Sequence, residues 1–139
     1  MKEKQLQDIT ALYGRLSRDD EVGGESMSIQ SQRAILGQYA KEHGFTNCQF
    51  FMDDGYSGTN FDRPAFTEMM ELVEQRRVRT IIVKDLSRLG RNYLEVGRYT
   101  EVIFPENKVR FIAITDGVDS AAGDNEFAPF KNIILSLIH

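Results

Sequence analysis

In Tyr13-Gly-Arg15-Leu-Ser17 an arginine stands two residues before a serine, the first spacing along this chain that could do chemistry. In extended backbone, side chains at i and i+2 point the same way. A guanidinium fork binds two phosphate oxygens and keeps its charge, while a hydroxyl beside it supplies a nucleophile. The plainer account of Ser17 is a loop turn or cap, and this pair alone does not decide. A second grouping is Asp62-Arg63-Pro64. Its plain reading is an aspartate N-cap with an exposed arginine at a helix start. Its functional reading has Arg63 carried by the glycine-rich stretch Asp54-Gly-Tyr-Ser57-Gly-Thr-Asn60 onto a phosphate beside that helix N-terminus. The third is Val83-Lys84-Asp-Leu-Ser-Arg88-Leu-Gly-Arg91. One helical turn would put Arg88 and Arg91 on the same face. A solvated charge run fits poorly there, because the arginines directly follow a buried apolar run and share the stretch with a glycine.

Phosphoryl transfer without a metal must neutralise phosphate charge with fixed cations, and several arginines converging on one anion do so electrostatically. Arg15, Arg63, Arg88 and Arg91 would be such a set. Two histidines (His43 and His139) and one cysteine (Cys48) form no ligand cluster of the usual spacing, so neither metal nor cofactor is expected. The residues therefore suggest metal-independent transesterification at a phosphodiester, with a serine in place of water.

The elements that must position these residues are predicted from apolar patterning. Residues 9–13, 48–52, 80–83 and 109–114 read as strands. Residues 28–42 read as a helix, with Ile29, Ile35, Leu36 and Tyr39 near helical spacing and Gly44 as a stop. Residues 64 to about 75 form a second helix opened by Pro64, and residues 92–104 a third. Residues 17–26 and 54–60 are loops by composition. A final helix is expected from about residue 126, cut off at His139. Alternating strands and helices predict an α/β domain: a largely parallel central sheet of four or five strands, flanked by helices in three layers. Sites on such sheets gather at the carboxyl ends of strands. Ser17, Asp54 and Arg88 follow the first, second and third strands, so all three are expected on one edge.

The 139 residues suit one domain with one core. A lone cysteine excludes an internal disulfide, and no leading apolar segment reads as a signal, so a reducing cytoplasm is the expected compartment. Nothing approaches the roughly 18 apolar residues of a membrane span. The net charge of −4 argues against a nucleic-acid partner when taken alone. Charge placement matters more. Residues 76–91 hold Arg76, Arg77, Arg79, Lys84, Arg88 and Arg91 against Asp85 alone, a net of +5.

Taken together, these motifs resemble the serine recombinase family of resolvases, invertases, large integrases and transposases. Tyr13 to Ser17 resembles its nucleophile motif, and Ser28-Ile-Gln-Ser-Gln32 the start of its first helix. Asp54-Gly-Tyr-Ser57-Gly58 with Asp62-Arg63-Pro64 resembles its flexible loop, and Leu86-Ser-Arg88-Leu-Gly-Arg91 its arginine motif. The four motifs, in order, span roughly residues 10 to 135. The polar insert after Ser17 and the continuation Arg91-Asn-Tyr-Leu-Glu-Val-Gly97 look most like the large, transposon-associated branch.

The resemblance implies that Ser17 attacks the scissile phosphate, holding a 5′-phosphoserine and releasing a 3′-hydroxyl. Arg15, Arg63, Arg88 and Arg91 would bind the phosphate and stabilise the transition state. Asp54, Gln32, Ser57 and Lys84 would support the site and its DNA contacts, and Tyr13 would frame it. The family needs no metal or nucleotide, and acts on specific double-stranded DNA sites as a tetramer reached from dimers. Ser87 stands where many small resolvases carry an aspartate, so any acid role there is absent or falls to Asp85. Residues 1–139 are thus expected to be a resolvase-type catalytic domain, ending within its C-terminal helix and before the DNA-binding region. Such a fragment should bind DNA weakly and show little or no recombination.

Two other readings compete. Asp19-Asp20, Asp54 and Lys84 could form a receiver-like phosphoacceptor pocket, but that leaves Arg15, Arg88 and Arg91 unexplained. A non-catalytic dimerisation or regulatory relic would keep the fold only, against which the intact Ser17 and arginine set speak.

Overall fold

In the computed structural model, residues 8–16, 28–54, 63–90 and 92–122 are described. Strand β1 (Ile9–Leu16) is followed by helix α1 (Ile29–Glu42), β2 (Cys48–Asp54), α2 (Pro64–Glu74) and β3 (Val78–Val83). A 3₁₀ turn (Leu86–Arg88) leads to α3 (Tyr93–Arg98), which runs through a π-helical stretch (Tyr99–Ile103) into the short α4 (Phe104–Glu106). Strands β4 (Arg110–Ala113) and β5 (Val118–Asp119) and a 3₁₀ turn (Ser120–Ala122) complete the described part.

The five strands form one sheet in the order β2-β1-β3-β4-β5. All neighbours are parallel except β4 and β5, which are antiparallel. Strand periodicity sorts β1 into two faces. Ile9, Ala11 and Tyr13 join Phe66, Met69 and Val73 of α2, with Val96 of α3 and Phe104 of α4, in the larger core. Leu12 packs with Leu36 and Ala40 of α1, together with Ile82 and Ile112, in the smaller one. The result is the expected three-layer α/β fold. Among the described residues no helix is long and apolar enough to cross a membrane.

Local chemistry sets the boundaries. Ser28 caps α1, its hydroxyl accepting from Ser31 N–H at 3.0 Å, and Gly44 beyond its end takes φ +76°, where a Cβ is disfavoured. Asn92 caps α3 by accepting from Leu94 and Glu95 N–H, so that helix starts at Tyr93 rather than at residue 92. Pro105 brings no N–H to the i−4 ladder, and the turn before it loosens into π geometry.

Several strand limits differ from the sequence expectation. β1 runs three residues past the apolar stretch, to Leu16, because Gly14, Arg15 and Leu16 still pair with Met52, Asp53 and Asp54. β2 likewise reaches Asp54, and β3 starts earlier, at Val78. β4 is shorter than residues 109–114, since Val109 N–H turns back to Phe104 O at 2.8 Å to close the preceding helix. The loop after Ser17 and the final helix predicted from residue 126 lie outside the described residues.

Candidate active site

The parallel register brings the carboxyl ends of β1, β2 and β3 to one edge. β3 pairs with β1 only as far as Tyr13↔Val83. By Arg15 that partner is gone, yet buried main-chain groups must still be satisfied. Gln32 of α1 takes over. Arg15 N–H donates to Gln32 Oε1 at 3.1 Å, and Gln32 Nε2 donates to Arg15 O at 3.0 Å. Gly14 allows this approach, since a Cβ there would lie 2.9 Å from Gln32 Oε1 and 2.6 Å from Met52 Sδ.

Three arginines meet at this edge, and all are buried: Arg15 at 0%, Arg63 at 1% and Arg88 at 6% exposure. The guanidiniums of Arg15 and Arg63 converge on the main chain of the turn after β3, and that of Arg88 reaches back to β1. Arg15 donates to Arg88 O at 3.3 Å and to Ser87 O at 2.7 Å. Arg63 donates to Arg88 O at 3.1 Å and to Leu89 O at 2.7 Å. Arg88 in return donates to Arg15 O at 2.8 Å. The turn is itself pinned by the segment after β4: Leu86 N–H donates to Asp116 Oδ2 at 2.7 Å, and Thr115 N–H to Lys84 O at 2.8 Å. The plain readings of an exposed Arg63 and a solvated Arg88 are therefore corrected by burial. Asp62, the N-cap of that plain reading, is outside the described residues, and the N-cap position of α2 is Arg63, with no side-chain cap bond.

Carboxylates flank the set on two sides. Asp85 Oδ1 lies 3.5 Å from Arg88 Nε, its Oδ2 is 3.1 Å from Lys84 Nζ, and the Ser87 hydroxyl donates to it. Burial pushes the Asp85 carboxyl up, but the Ser87 bond and the Arg88 and Lys84 charges outweigh it and leave it below its ordinary value. Asp53, buried at 2% exposure, accepts from Tyr13 Oη at 2.9 Å, Ala65 N–H at 2.9 Å and Phe66 N–H at 3.0 Å. The Arg63 guanidinium lies over the Phe66 ring at 4.8 Å and the Tyr13 ring at 5.6 Å. Burial holds the Tyr13 hydroxyl well above tyrosine's usual range, with the Asp53 charge adding to it and Arg63 opposing. Tyr13 thus stays neutral beside the arginine set. Burial also lowers Arg63, against the pull of Tyr13 and Asp53.

Of the residues singled out in the sequence, Tyr13, Arg15, Gln32, Arg63 and Arg88 come together here, and Lys84 sits at their border, engaged by Asp85. The main chain of Asp54 pairs beside Leu16 at the end of β2, but its side chain, like Ser17, Ser57 and Arg91, is outside the described residues. Leu86–Arg88 is a single 3₁₀ turn. Sequence reasoning missed Asp53 and Asp116. For Asp53 the signal was parity: it falls two after Phe51, on the inward face of β2. Asp116 carries no such signal, because its partner Leu86 is thirty residues away. Among the described residues no group of three or more His, Cys, Asp or Glu side chains gathers as a metal site.

Comparison with known proteins converges on one family. Residues 10–137 match the family model described as "Resolvase, N terminal domain". No curated protein matches significantly. Among solved structures, the chain is similar to the N-terminal catalytic domain of TP901-1 integrase, with a TM-score of 0.78 and 26% identity over 94% of this chain and 93% of that one. It is also similar to the C-terminal catalytic domain of ISC1926 TnpA, an IS607-like serine recombinase, with a TM-score of 0.62 and 26% identity over 76% and 67%. A resolvase family site-specific recombinase from Streptococcus pneumoniae shares the fold, with a TM-score of 0.70 and 24% identity over 91% and 85%. With a family match spanning nearly the whole chain and an arginine-lined sheet edge beneath it, this protein belongs to the resolvase family, as a serine recombinase catalytic domain.

Proposed function

We propose that this domain cleaves and rejoins double-stranded DNA at specific recombination sites through a covalent link to Ser17, without a metal or cofactor. The Ser17 hydroxyl gives up its proton to solvent as its oxygen attacks the scissile phosphorus, the bond from phosphorus to the 3′ oxygen breaks, and that oxygen leaves as a 3′-hydroxyl after taking up a proton from solvent, so the step is neutral in protons. The 5′ end stays on the protein as a phosphoserine, and attack by a 3′-hydroxyl reverses the step. The observation that carries this reading is the convergence of Arg15, Arg63 and Arg88 at the sheet edge where β1 ends, one residue before Ser17. Carbonyl oxygens accept from Nη atoms of all three arginines and from Arg15 Nε, and phosphate oxygens can join or replace them with a charge-assisted bond. Preorganised cations of this kind stabilise charge developing in the transition state. Arg91, Asp54 and Ser57 would complete the site, with Gln32 and Lys84 supporting it. The working form would be a tetramer built from dimers on paired DNA sites in the cytoplasm.

The test is a fusion of the chain to a sequence-specific DNA-binding module, incubated with DNA carrying the matching site. Denaturation should trap a protein–DNA adduct that disappears in Ser17→Ala and persists undiminished in chelator. An adduct that survives Ser17→Ala, or that requires a divalent metal, would overturn the mechanism.

A further inference from the structure

The turn after β3 carries more of the arginine set than Arg88 alone. Its Ser87, Arg88 and Leu89 carbonyls accept from Arg15 and Arg63, and Arg88 reaches from it back to Arg15 O. Wherever this turn sits, all three guanidiniums follow. The first N–H of such a turn has no partner within it. Asp85, at the N-cap position, makes no side-chain cap bond, because its carboxylate is engaged by Ser87, Lys84 and Arg88. The missing acceptor comes from the β4–β5 hairpin, where Asp116 Oδ2 accepts from Leu86 N–H at 2.7 Å. Thr115 grips the other side of Asp85, donating to Lys84 O from its amide at 2.8 Å and from its hydroxyl at 3.0 Å. The hairpin is itself held firmly. Gly117 takes φ +67° to close it, and Arg110 and Asp119 join its two strands by paired bonds of 2.9 and 2.7 Å.

We infer that Asp116 is a positioning residue for DNA cleavage: from the β4–β5 hairpin it fixes the turn on which Arg15, Arg63 and Arg88 are arranged. This rests on the reading of the site as a cleavage centre. Asp116 acts through one backbone amide, so the position requires an acceptor rather than a charge. Asparagine keeps a carbonyl acceptor there, and alanine removes it. A bond to a charged acceptor carries about tenfold to a hundredfold in an equilibrium constant. Asp116 is exposed, which puts the expected loss at the lower end of that range.

The experiment compares adduct formation in single turnover by the DNA-binding fusion carrying Asp116→Ala or Asp116→Asn, with affinity for the target site measured in parallel. Asp116→Ala should slow the adduct about tenfold with affinity unchanged, and Asp116→Asn should stay within about threefold of the parent. A loss below about threefold in Asp116→Ala, or an Asp116→Asn variant as slow as Asp116→Ala, would overturn the inference. A second readout does not depend on cleavage: NMR of the Leu86 to Leu89 amides in the 139-residue chain. Hydrogen exchange of the Leu86 amide should be at least about fivefold faster in Asp116→Ala and near the parent rate in Asp116→Asn. The Ser87 to Leu89 amide shifts should move in Asp116→Ala and return in Asp116→Asn, because the whole turn is displaced and then restored. Parent-like exchange at Leu86, or unmoved Ser87 to Leu89 shifts, in a folded Asp116→Ala protein would sink the positioning role. Absence of an adduct in the parent fusion would count instead against the proposed function, and the amide readout would still decide whether Asp116 holds the turn.

Discussion

Main-chain carbonyls, not side chains alone, hold the guanidiniums of Arg15, Arg63 and Arg88 in register. That arrangement holds three long side chains in place, so an anion bound there under the proposed function would cost less rotamer entropy. Tyr13 belongs to the same arrangement as a neutral donor. Its folded pKa is raised by burial above the unfolded value of about 10. The stability it contributes is therefore intact below about pH 10 and is lost as pH rises beyond that toward the folded value. Tyr13→Phe should lose about 1.5–3 kcal/mol at neutral pH, the range for a bond to a charged acceptor. It should also show a smaller drop in stability between about pH 9 and 11 than the parent. Urea denaturation across that range measures both, and equal drops would show that Tyr13 does not couple to alkaline unfolding. At this scale the sequence was partly legible. The type and spacing of Arg15, Arg63 and Arg88 pointed to the site. The role of Asp53 was hidden because Asp54 beside it belongs to the visible loop motif, and only strand parity separates the two.

The elements matter through where they stop. β1 outlasts β3, and the gap is bridged by a side chain from α1. That substitution needs Gly14. Gly14→Ala forces Met52 or Gln32 aside and should cost about 1–3 kcal/mol, the usual penalty for overpacking. It should also disturb the Arg15 main chain, visible as loss of protection of the Arg15 amide in hydrogen exchange. Full stability with an unchanged Arg15 amide would mean that the Gln32 bridge tolerates the methyl group. The sequence showed strand cores because they are apolar runs, and it placed the helices α1 and α2 close to their observed limits. It could not show the last three residues of β1, because a glycine, an arginine and a leucine carry no strand pattern. What sustains them is the β2 pairing and Gln32, both set by tertiary contact. The short antiparallel β5 was equally invisible: it is two residues long and is fastened by the Arg110–Asp119 pair at 2.7 and 2.9 Å.

Across the whole molecule, the +5 window of residues 76–91 divides. Lys84 and Arg88 follow β3 at the carboxyl edge of the sheet, whereas Arg76 and Arg77 precede β3 and Arg79 lies near its start, at the opposite edge. Six residues of strand separate the two groups by roughly 20 Å. Arg79 is exposed and pairs with Asp8 at 3.5 Å, and Arg76 sits in the closing turn of α2 at φ +62°. A sequence window sums charges that a strand then carries to opposite ends of the sheet. Arg79→Glu in the DNA-binding fusion should accordingly leave adduct formation within about twofold of the parent, since exposed charges beyond a Debye length are largely screened. Arg88→Ala should lower it by about a hundredfold to a thousandfold, the range for removing one transition-state donor. Comparable losses in both variants would place DNA on the amino edge as well.

The central claim, that Ser17, the residue following β1 in the chain, becomes covalently joined to DNA, is tested most directly by mass-spectrometric mapping of the peptide left on DNA after the trapped fusion is digested. The account predicts a single modified peptide carrying a 5′-phosphoryl link on Ser17, with a free 3′-hydroxyl on the other DNA end. A link on any other residue, or a 3′-phosphoryl attachment, would contradict it.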